Sequence, residues 1–408
     1  MKSSKKGISL IVLVITIIVM IILATAIILS LNSSNIVEKA KEAQKSSDAA
    51  NIKQAATVAY AEYVLDVNEG KVASGTTAEQ YVKAKLISQG IAEENLKTLM
   101  VTEKGKVFVF KIPEGFVASQ VSTEDEVSEG LVIYEGTEPV TDANKATAQT
   151  TRNQYVWVPV EDEFERVNWQ NETDFSTYYT EPYSYDTTIT EANDLTGEWA
   201  EYAKMKASVA KYGGFYIARY EAGTTVAREE GEANGTTTLI PSQKNKAVYN
   251  CVGWGQSMTD VEGDVTDAES GENQGKGAVE LARNIYPESS DKEVVSTLIY
   301  GVQWDAALKF ISKTDAGYAL DSTDKGNYTG TLANTGSNNA YAKNNIYDMA
   351  GNVDEWTMEA VGSSGRVIRG GNFCVGSGGS DDPASDRISD GPVYAYDYHG
   401  LRLALYIK

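Results

Sequence analysis

A run of 24 residues without a charged side chain, from Ile8 to Leu31, most strongly constrains how this chain can fold. As a helix it would be about 36 Å long at ~1.5 Å per residue, enough to cross a hydrocarbon core about 30 Å thick. Lys2, Lys5 and Lys6 precede it, and the positive-inside rule places them in the cytoplasm. A cleaved secretory signal is the alternative, although its apolar run is only about 7–15 residues. We therefore predict a membrane-spanning helix, with the rest of the chain at the cell surface.

Composition argues against several classes of function. The 408 residues include 36 Lys and Arg against 57 Asp and Glu, a formal net charge of −21, which disfavours a nucleic-acid partner. One His and two Cys leave little material for a zinc site, a disulfide framework or a Ser-His-Asp triad. These counts favour a protein that binds a ligand over an enzyme.

The first 30 residues contain a recognisable processing motif. Residues 5–11 read Lys-Lys-Gly-Ile-Ser-Leu-Ile, which resembles the type IV prepilin signal. The resemblance implies cleavage between Gly7 and Ile8 by a prepilin peptidase, and assembly of the retained helix with other pilins. The fifth residue after that cleavage is Val12, where the family usually has a glutamate that pairs with a neighbouring subunit. A tip or minor pilin and a plain membrane-anchored display protein both remain open.

Beyond the apolar run, the sequence predicts a stem and a spacer. Apolar residues keep a helical spacing up to a plausible stop at Gly70, so the stem is expected over residues 8–70, after a leader at 1–7. Residues 71–145 are expected to form a small pilin-type α/β head or spacer that carries no chemistry. A polar connector leads from this module to a third domain at residues 153–408.

The third domain carries five separated motifs that agree in order. They are Tyr-Val-Trp-Val-Pro-Val at 155–160, Gly-Gly-Phe-Tyr-Ile-Ala-Arg-Tyr-Glu at 213–221, Val-Gln-Trp-Asp-Ala-Ala at 302–307, Asn-Ile-Tyr-Asp-Met-Ala-Gly-Asn-Val-Asp-Glu-Trp-Thr at 345–357, and Arg-Val-Ile-Arg-Gly-Gly at 366–371 closed by Gly-Leu-Arg-Leu at 400–403. Together they resemble the formylglycine-generating-enzyme or sulfatase-modifying domain. This resemblance implies a C-type-lectin-like fold with irregular antiparallel sheets, and the whole chain is expected to be of the α+β class.

Neither enzyme chemistry nor a metal is required by these motifs. Oxidative members of the resembled family use two nearby cysteines, whereas Cys374 has no close second cysteine and Cys251 lies 123 residues earlier. We therefore expect no catalytic residues and no obligatory cofactor. Family members often bind Ca²⁺ near the fourth motif, where Asn352 and Glu355 could supply oxygen ligands. Buried hydrogen bonds that stabilise the turn are the alternative role for these two residues.

Residues 372–400 differ in composition from the rest of the chain. They contain no Lys, Glu, Gln, Met or Trp, the five residue types that adenine mutagenesis of an Asn codon cannot produce. This pattern, followed by Gly-Leu-Arg-Leu at 400–403, resembles the variable region of diversity-generating-retroelement target proteins. The resemblance implies a C-type-lectin-like domain whose last segment is rewritten between sister copies. A polar surface loop with core tyrosines is the alternative.

The chemistry of this segment independently favours recognition. Aromatic residues give a large contact area, and Ser and Asp give adaptable polar contacts. Alternation should place Tyr394, Tyr396 and Tyr398 on one face. The predicted variable contact residues are Asn372, Phe373, Cys374, Val375, Ser377, Asp386, Ile388, Ser389, Asp390, Tyr394, Tyr396, Asp397, Tyr398 and His399. Residues 383–385 and Arg387 are expected to be a fixed scaffold. The sequence thus predicts a surface-displayed adhesin or receptor for an unidentified protein or glycan. A purely structural minor or tip pilin is the first alternative, and a formylglycine-generating-type enzyme is the second.

Overall fold

A computed structural model describes residues 34–182, 197–234, 237–255, 275–362, 365–374 and 382–408. The predicted leader, the cleavage pair Gly7 and Ile8, and the uncharged run at 8–31 lie outside these residues. Within the described ranges, no helix is both long enough and apolar enough to span a bilayer. The chain divides after Gly90 into two compact units.

Both helices and strands are present, and each type is named in chain order. The helices are α1 (Ser34–Asn68), α2 (Ala78–Ser88), α3 (Lys145–Thr151), α4 (Phe175–Tyr178), α5 (Glu198–Tyr212), α6 (Ala278–Arg283) and α7 (Gly301–Ile311), with short 3₁₀ turns at Glu93–Leu96, Val127–Glu129 and Asn339–Tyr341. The strands are β1 (Leu99–Val101), β2 (Val107–Val109), β3 (Phe116–Ala118), β4 (Val132–Glu135), β5 (Gln154–Pro159), β6 (Tyr179–Thr180), β7 (Gly214–Ala218), β8 (Gly223–Thr224), β9 (Ala247–Val248), β10 (Val294–Leu298), β11 (Asp354–Val361), β12 (Gly365–Arg369), β13 (Ile388–Asp390), β14 (His399–Leu401) and β15 (Leu403–Ile407).

The first unit contains the helical pair α1 and α2. Helix α1 covers the described part of the predicted stem and ends at Asn68, two residues before Gly70, whose φ of +69° suits a glycine. Helix α2 begins with a capping box, in which the Thr77 side chain accepts from the Gln80 amide and the Gln80 side chain accepts from the Thr77 amide. Val82 of α2 is fully buried, so apolar packing holds this pair together.

A six-stranded antiparallel sheet forms one layer of the second unit, in the order β10-β15-β7-β5-β4-β3. Its inner strand β5 is rich in β-branched and aromatic residues and is buried along its whole length. Trp157 of β5 stacks on Phe110 with ring centroids 4.1 Å apart. A Cβ on Gly214 would lie 2.6 Å from the Trp157 ring, so the neighbouring strand β7 can approach only as glycine there.

The predicted spacer at 71–145 does not form a separate module in this structure. Strands β3 and β4 extend the same sheet as β5, and the second unit already begins at Ile91. The buried Glu124 carboxylate also accepts from the Arg219 guanidinium at 2.8 Å, which joins residues before and after the predicted connector. Part of that connector folds as α3, between two adjacent antiparallel strands, because Ala favours a helix and the polar Thr residues are compatible with a helix as well as with a linker.

The second sheet has the order β13-β12-β11-β14, and β6 pairs with the far end of β11. Its pairings are antiparallel except for β11 with β14, which run parallel. Helix α7 contacts β5 of the first sheet and β11 of the second. Trp157, Trp304 and Trp356 are fully buried in the core. A mixed α and β architecture with mainly antiparallel sheets is therefore confirmed.

Candidate ligand-binding surface

Three tyrosines between β13 and β14 lie on one face of their segment, as the alternation predicted. The ring centroids of Tyr394 and Tyr396 are 5.7 Å apart with an interplanar angle of 19°, and those of Tyr396 and Tyr398 are 5.3 Å apart with an angle of 25°. Tyr394 is 39% exposed and the other two are half-buried. These three residues, called the tyrosine cluster below, therefore present aromatic surface to solvent.

His399 supports the tyrosine cluster from the interior. Its ring is fully buried and makes edge contacts with Tyr396, Tyr398 and Trp356, at centroid separations of 5.3, 4.9 and 4.8 Å. Its Nδ1 lies 3.2 Å from the carbonyl oxygen of Tyr394, a geometry that suits donation to that carbonyl. His399 is thus a supporting residue in this structure, whereas the sequence placed it among the exposed contact residues.

The burial of His399 predicts an unusual titration. Burial lowers the pKa of His399 to about 4, against the opposing effect of its hydrogen bond to the Tyr394 carbonyl. Because the unfolded chain binds this proton below about pH 6.5 and the folded chain only near 4, the fold loses roughly 3 kcal/mol across that interval as the pH falls. His399 is the only histidine in the chain, so its imidazole NMR signal can be followed without assignment.

We expect a midpoint near pH 4 for the folded chain and about 6.5 for the chain in denaturant. The denatured sample serves as the control, since it reports the same side chain without its environment. A folded-state midpoint near 6.5 would contradict the interior position of His399.

Of the residues predicted as a fixed scaffold, Ala384, Ser385 and Arg387 are buried and hydrogen-bonded, and Pro383 is half-buried. The amide of Ala384 donates to the Ser322 hydroxyl at 2.8 Å, and its carbonyl accepts from the Trp304 indole at 2.8 Å. The carbonyl of Ser385 accepts from the Arg369 guanidinium at 3.0 Å. The backbone on the N-terminal side of β13 is therefore attached directly to core side chains.

Arg387 is held by two buried carboxylates. Its Nη2 lies 2.5 Å from Asp305 Oδ2, and its Nε lies 3.0 Å from Glu359 Oε2. Arg369 approaches the same two carboxylates, at 3.0 Å from Asp305 and 3.6 Å from Glu359. Burial opposes ionisation of Asp305, but the two guanidinium groups outweigh it and lower the pKa of that carboxyl. This group of four charged side chains, the buried ion network, positions the segment that carries β13.

Strand β13 contributes a second part of the surface. Its residues pair with Arg366–Ile368 of β12 at the edge of the sheet. Ser389 is exposed, while Ile388 and Asp390 are half-buried. The Asp390 carboxylate accepts from the Gly391 amide at 2.7 Å, and a Cβ on Gly391 would lie 2.9 Å from the Tyr394 ring. A glycine at this turn therefore lets the chain pass close to the tyrosine cluster.

Two further predicted contact residues are accessible. Asp397 is exposed, and its carbonyl accepts from the Asn250 side chain at 2.6 Å. Asp386 is half-buried and its carboxylate accepts from Gln170 at 2.8 Å. Their ligand-binding role stays a prediction, but both carboxylates belong to the same chain segment as the tyrosines.

The other end of the predicted variable segment begins in the interior. Asn372 is 5% exposed, and its side-chain amide donates to Asp354 at 2.7 Å, so it anchors the chain. The Asp354 amide donates to the Tyr398 carbonyl at 2.8 Å, which ties both ends of the segment to one residue. Phe373 and Cys374 are half-buried. The predicted contacts Val375 and Ser377 lie outside the described residues.

Asn352 and Glu355 do not fit the calcium site that the resemblance suggested. Asn352 accepts from Asn327 at 2.8 Å and donates to Glu221 at 2.6 Å, so its side chain holds a buried turn. Both Glu355 oxygens accept from Arg402, with the nearest contact at 2.6 Å, and the arginine already provides the positive charge at that carboxylate. The residues that the structure describes contain no group of three His, Cys, Asp or Glu side chains placed to hold a metal ion.

The two cysteines do not form a disulfide. Cys251 is buried, and burial raises the pKa of its thiol to about 12. The thiolate is the reactive form of cysteine, so this side chain is protonated and unreactive at neutral pH. Cys374 is half-buried and directly precedes the undescribed residues 375–381.

Sequence reasoning missed the residues that hold the surface in place. Asp305 lies in the motif at 302–307 without a predicted role, and Glu359 lies outside every motif. An acidic residue between the apolar residues Trp304 and Ala306 of helix α7 is a usable signal, because buried carboxylates are almost always paired. The signal does not reveal the arginine partners, which lie 64 to 82 residues further along the chain.

Comparison with known proteins gives only weak similarities. No protein-family model matches the sequence, and no curated protein matches it. Among solved structures, Treponema denticola variable protein 1 aligns with 47% of this chain and 95% of its own length, at 13% identity and a TM-score of 0.24. PvdO from Pseudomonas aeruginosa aligns with 48% of this chain and 81% of its own length, at 14% identity and a TM-score of 0.27. CarF aligns with 48% of this chain and 87% of its own length, at 16% identity and a TM-score of 0.27. Such low TM-scores support no argument about function.

Proposed function

We propose that this chain is a surface-displayed ligand-binding protein whose recognition surface is formed by the tyrosine cluster together with Asp386, Ser389, Asp390 and Asp397. A C-type-lectin-like domain presents this surface, and a pilin-like helix at 8–31, processed by a prepilin peptidase, anchors the chain in the membrane. The ligand is a protein or a glycan, and no reaction takes place at the surface.

The observation that carries this proposal is the contrast between accessible and anchored residues within one segment. The tyrosines and Asp397 present side chains at the surface, while Ala384, Ser385 and Arg387 are fixed by the core. Partly exposed aromatic side chains on a rigid frame give a large contact area at a low cost in conformational entropy. This arrangement suits a segment whose exposed residues vary while its backbone stays in place.

Binding can be tested by screening the purified full-length chain against arrays of glycans and peptides. We expect ligands that bind the wild type and are lost when Tyr394, Tyr396 and Tyr398 are all replaced by serine. Tyr178→Ser is the matched control, because Tyr178 is 53% exposed and lies outside this surface. Equal loss in the triple variant and the control, or hits unaffected by either, would contradict the proposal and favour a structural pilin.

Diversification of the surface has a separate test in the neighbouring genome sequence. We expect a near-copy of the coding stretch for residues 372–400, differing at adenines, beside a reverse transcriptase gene. Absence of both would contradict diversification but would leave the array experiment to decide on ligand binding.

A further inference from the structure

We propose that the ligand of this surface is a cationic, arginine-bearing polypeptide segment in extended conformation, whose guanidinium groups lie over the tyrosine cluster and pair with Asp390 and Asp397. The inference rests on the proposed function, and it adds the chemical class of the partner. The charge around the cluster and the geometry of the rings support it.

The surface is surrounded by negative charge. Residues 372–400 contain five Asp, one Arg and no Lys or Glu. Burial raises the pKa of the Tyr396 hydroxyl, and the carboxylates of Asp390 and Glu230 lie near enough to raise it further. Asp390 and Asp397 act in the same direction on Tyr398. An anionic ligand would be repelled at this face, whereas a cationic one would be attracted.

Two buried arginines, Arg387 and Arg228, already have partners inside the fold. Arg387, the single arginine of the segment, is 7% exposed and is paired with Asp305 and Glu359. Arg228 is 6% exposed, and its guanidinium donates to the Asn250 carbonyl at 3.0 Å and to the Asn234 side chain at 2.5 Å. His399 Nε2 lies 3.7 Å from Asp390 Oδ2, but burial lowers the pKa of His399 to about 4, so this ring carries no charge at neutral pH. Within the described residues, neither arginine is available to neutralise Asp390 or Asp397, so a ligand can do so.

The rings of the cluster have the geometry that accepts cations. Neighbouring rings are nearly parallel at centroid separations of 5.3 and 5.7 Å, larger than the roughly 3.5–4 Å of direct superposition, so each ring leaves part of its face uncovered. A guanidinium within about 6 Å of such a face is attracted by the ring quadrupole, and arginine is the commonest partner. Alternate side chains of an extended peptide repeat about every 6.6–6.8 Å, about 1 Å more than the ring spacing, a difference that the flexible arginine side chain can span.

The test uses the immobilised full-length chain and three soluble probes. The first is an octapeptide that alternates Arg and Ser, the second replaces Arg by Glu, and the third is a neutral oligosaccharide, maltoheptaose. We expect the Arg peptide to bind and the Glu peptide not to bind. Raising the salt concentration from about 50 to about 500 mM should weaken the Arg peptide severalfold, since the charges at this surface are accessible to solvent.

The matched variants replace carboxylates by amides. Asp390→Asn with Asp397→Asn should weaken the Arg peptide roughly five- to tenfold, and Tyr396→Ser by about tenfold. The side-chain oxygen that remains after Asp390→Asn can still accept from the Gly391 amide, so the turn is kept. Asp142→Asn with Asp291→Asn is the control for net charge, because both residues are exposed in other loops.

Each outcome decides between the two proposals. Arg-peptide binding that falls in the acidic and tyrosine variants but not in the control supports both. Tyrosine-dependent binding of maltoheptaose without binding of the Arg peptide overturns the cationic ligand and keeps the proposed function. Arg-peptide binding that falls equally in the control variant shows non-specific attraction to the acidic chain and overturns this inference, as does failure of the Arg peptide to bind.

Discussion

Replacing Arg402 by methionine is expected to lower the free energy of unfolding of the second unit by about 3–5 kcal/mol. Arg402 is fully buried, and its guanidinium contacts Glu355 at 2.6, 2.8 and 3.1 Å. It also donates to the carbonyls of Ala218 and Tyr347 at 3.0 and 2.9 Å. Methionine fills a similar volume but leaves the Glu355 carboxylate buried without a cation and these carbonyls without a donor.

Tryptophan fluorescence during urea unfolding can measure this loss for the second unit alone, because all six tryptophans lie between residues 157 and 356. Lys204→Met is the control, since its ion pair with Glu288 is about half exposed and should contribute less than about 1 kcal/mol. The double variant Glu355→Gln with Arg402→Met removes both charges and should recover part of the stability. If the double variant is as unstable as Arg402→Met, or if Arg402→Met behaves like the control, the Glu355–Arg402 ion pair is not what stabilises the junction of β14 and β15.

Sequence periodicity predicted which side chains share a face of their segment. It did not predict which other part of the chain packs against the opposite face. It placed Tyr394, Tyr396 and Tyr398 on one face, and the stacked rings confirm this. The same period of two would put Asp397 and His399 on one face, yet Asp397 is exposed and His399 is buried, because the chain turns at residues 397–398. The burial of His399 therefore does not follow from alternation. What covers the opposite face, the Trp356 ring, depends on the parallel pairing of β14 with β11, which no local pattern reveals.

For charged residues too, a local motif identifies one member of a pair but not its partner far along the chain. Glu355 was recognised as a buried carboxylate in a motif, and a metal was one of the two roles considered for it. Its partner Arg402 stands 47 residues later in another quoted motif, and only the fold brings the two together. The boundary at 145–153 failed for a related reason: a polar connector between sequence-adjacent strands looks the same whether the strands share a sheet or belong to separate domains. Tertiary pairing, not composition, decides such cases.

Replacing Asp305 by asparagine is expected to destabilise the second unit by about 3–5 kcal/mol and to release the segment that carries β13. One Asp305 oxygen accepts from Arg369 at 3.0 Å and from the Trp169 indole at 2.9 Å, and the other accepts from Arg387 at 2.5 Å. Asparagine keeps one oxygen, and its amide group would face a guanidinium, donor against donor. Arg387 would then lose one of its two carboxylates while remaining buried beside Arg369.

The effect of Asp305→Asn should be largest in the segment that joins the buried ion network to the recognition surface. Hydrogen exchange followed by mass spectrometry should show faster exchange in peptides covering 384–390, by roughly 100-fold if about 3 kcal/mol of local stability is lost. Asp315→Asn is the control, because Asp315 pairs with Lys325 and Lys343 at a half-buried position and its loss should change stability by about 1 kcal/mol or less. A rigid frame is what lets exposed residues vary without a loss of fold, so unchanged exchange over 384–390 in Asp305→Asn would show that the frame depends on other contacts.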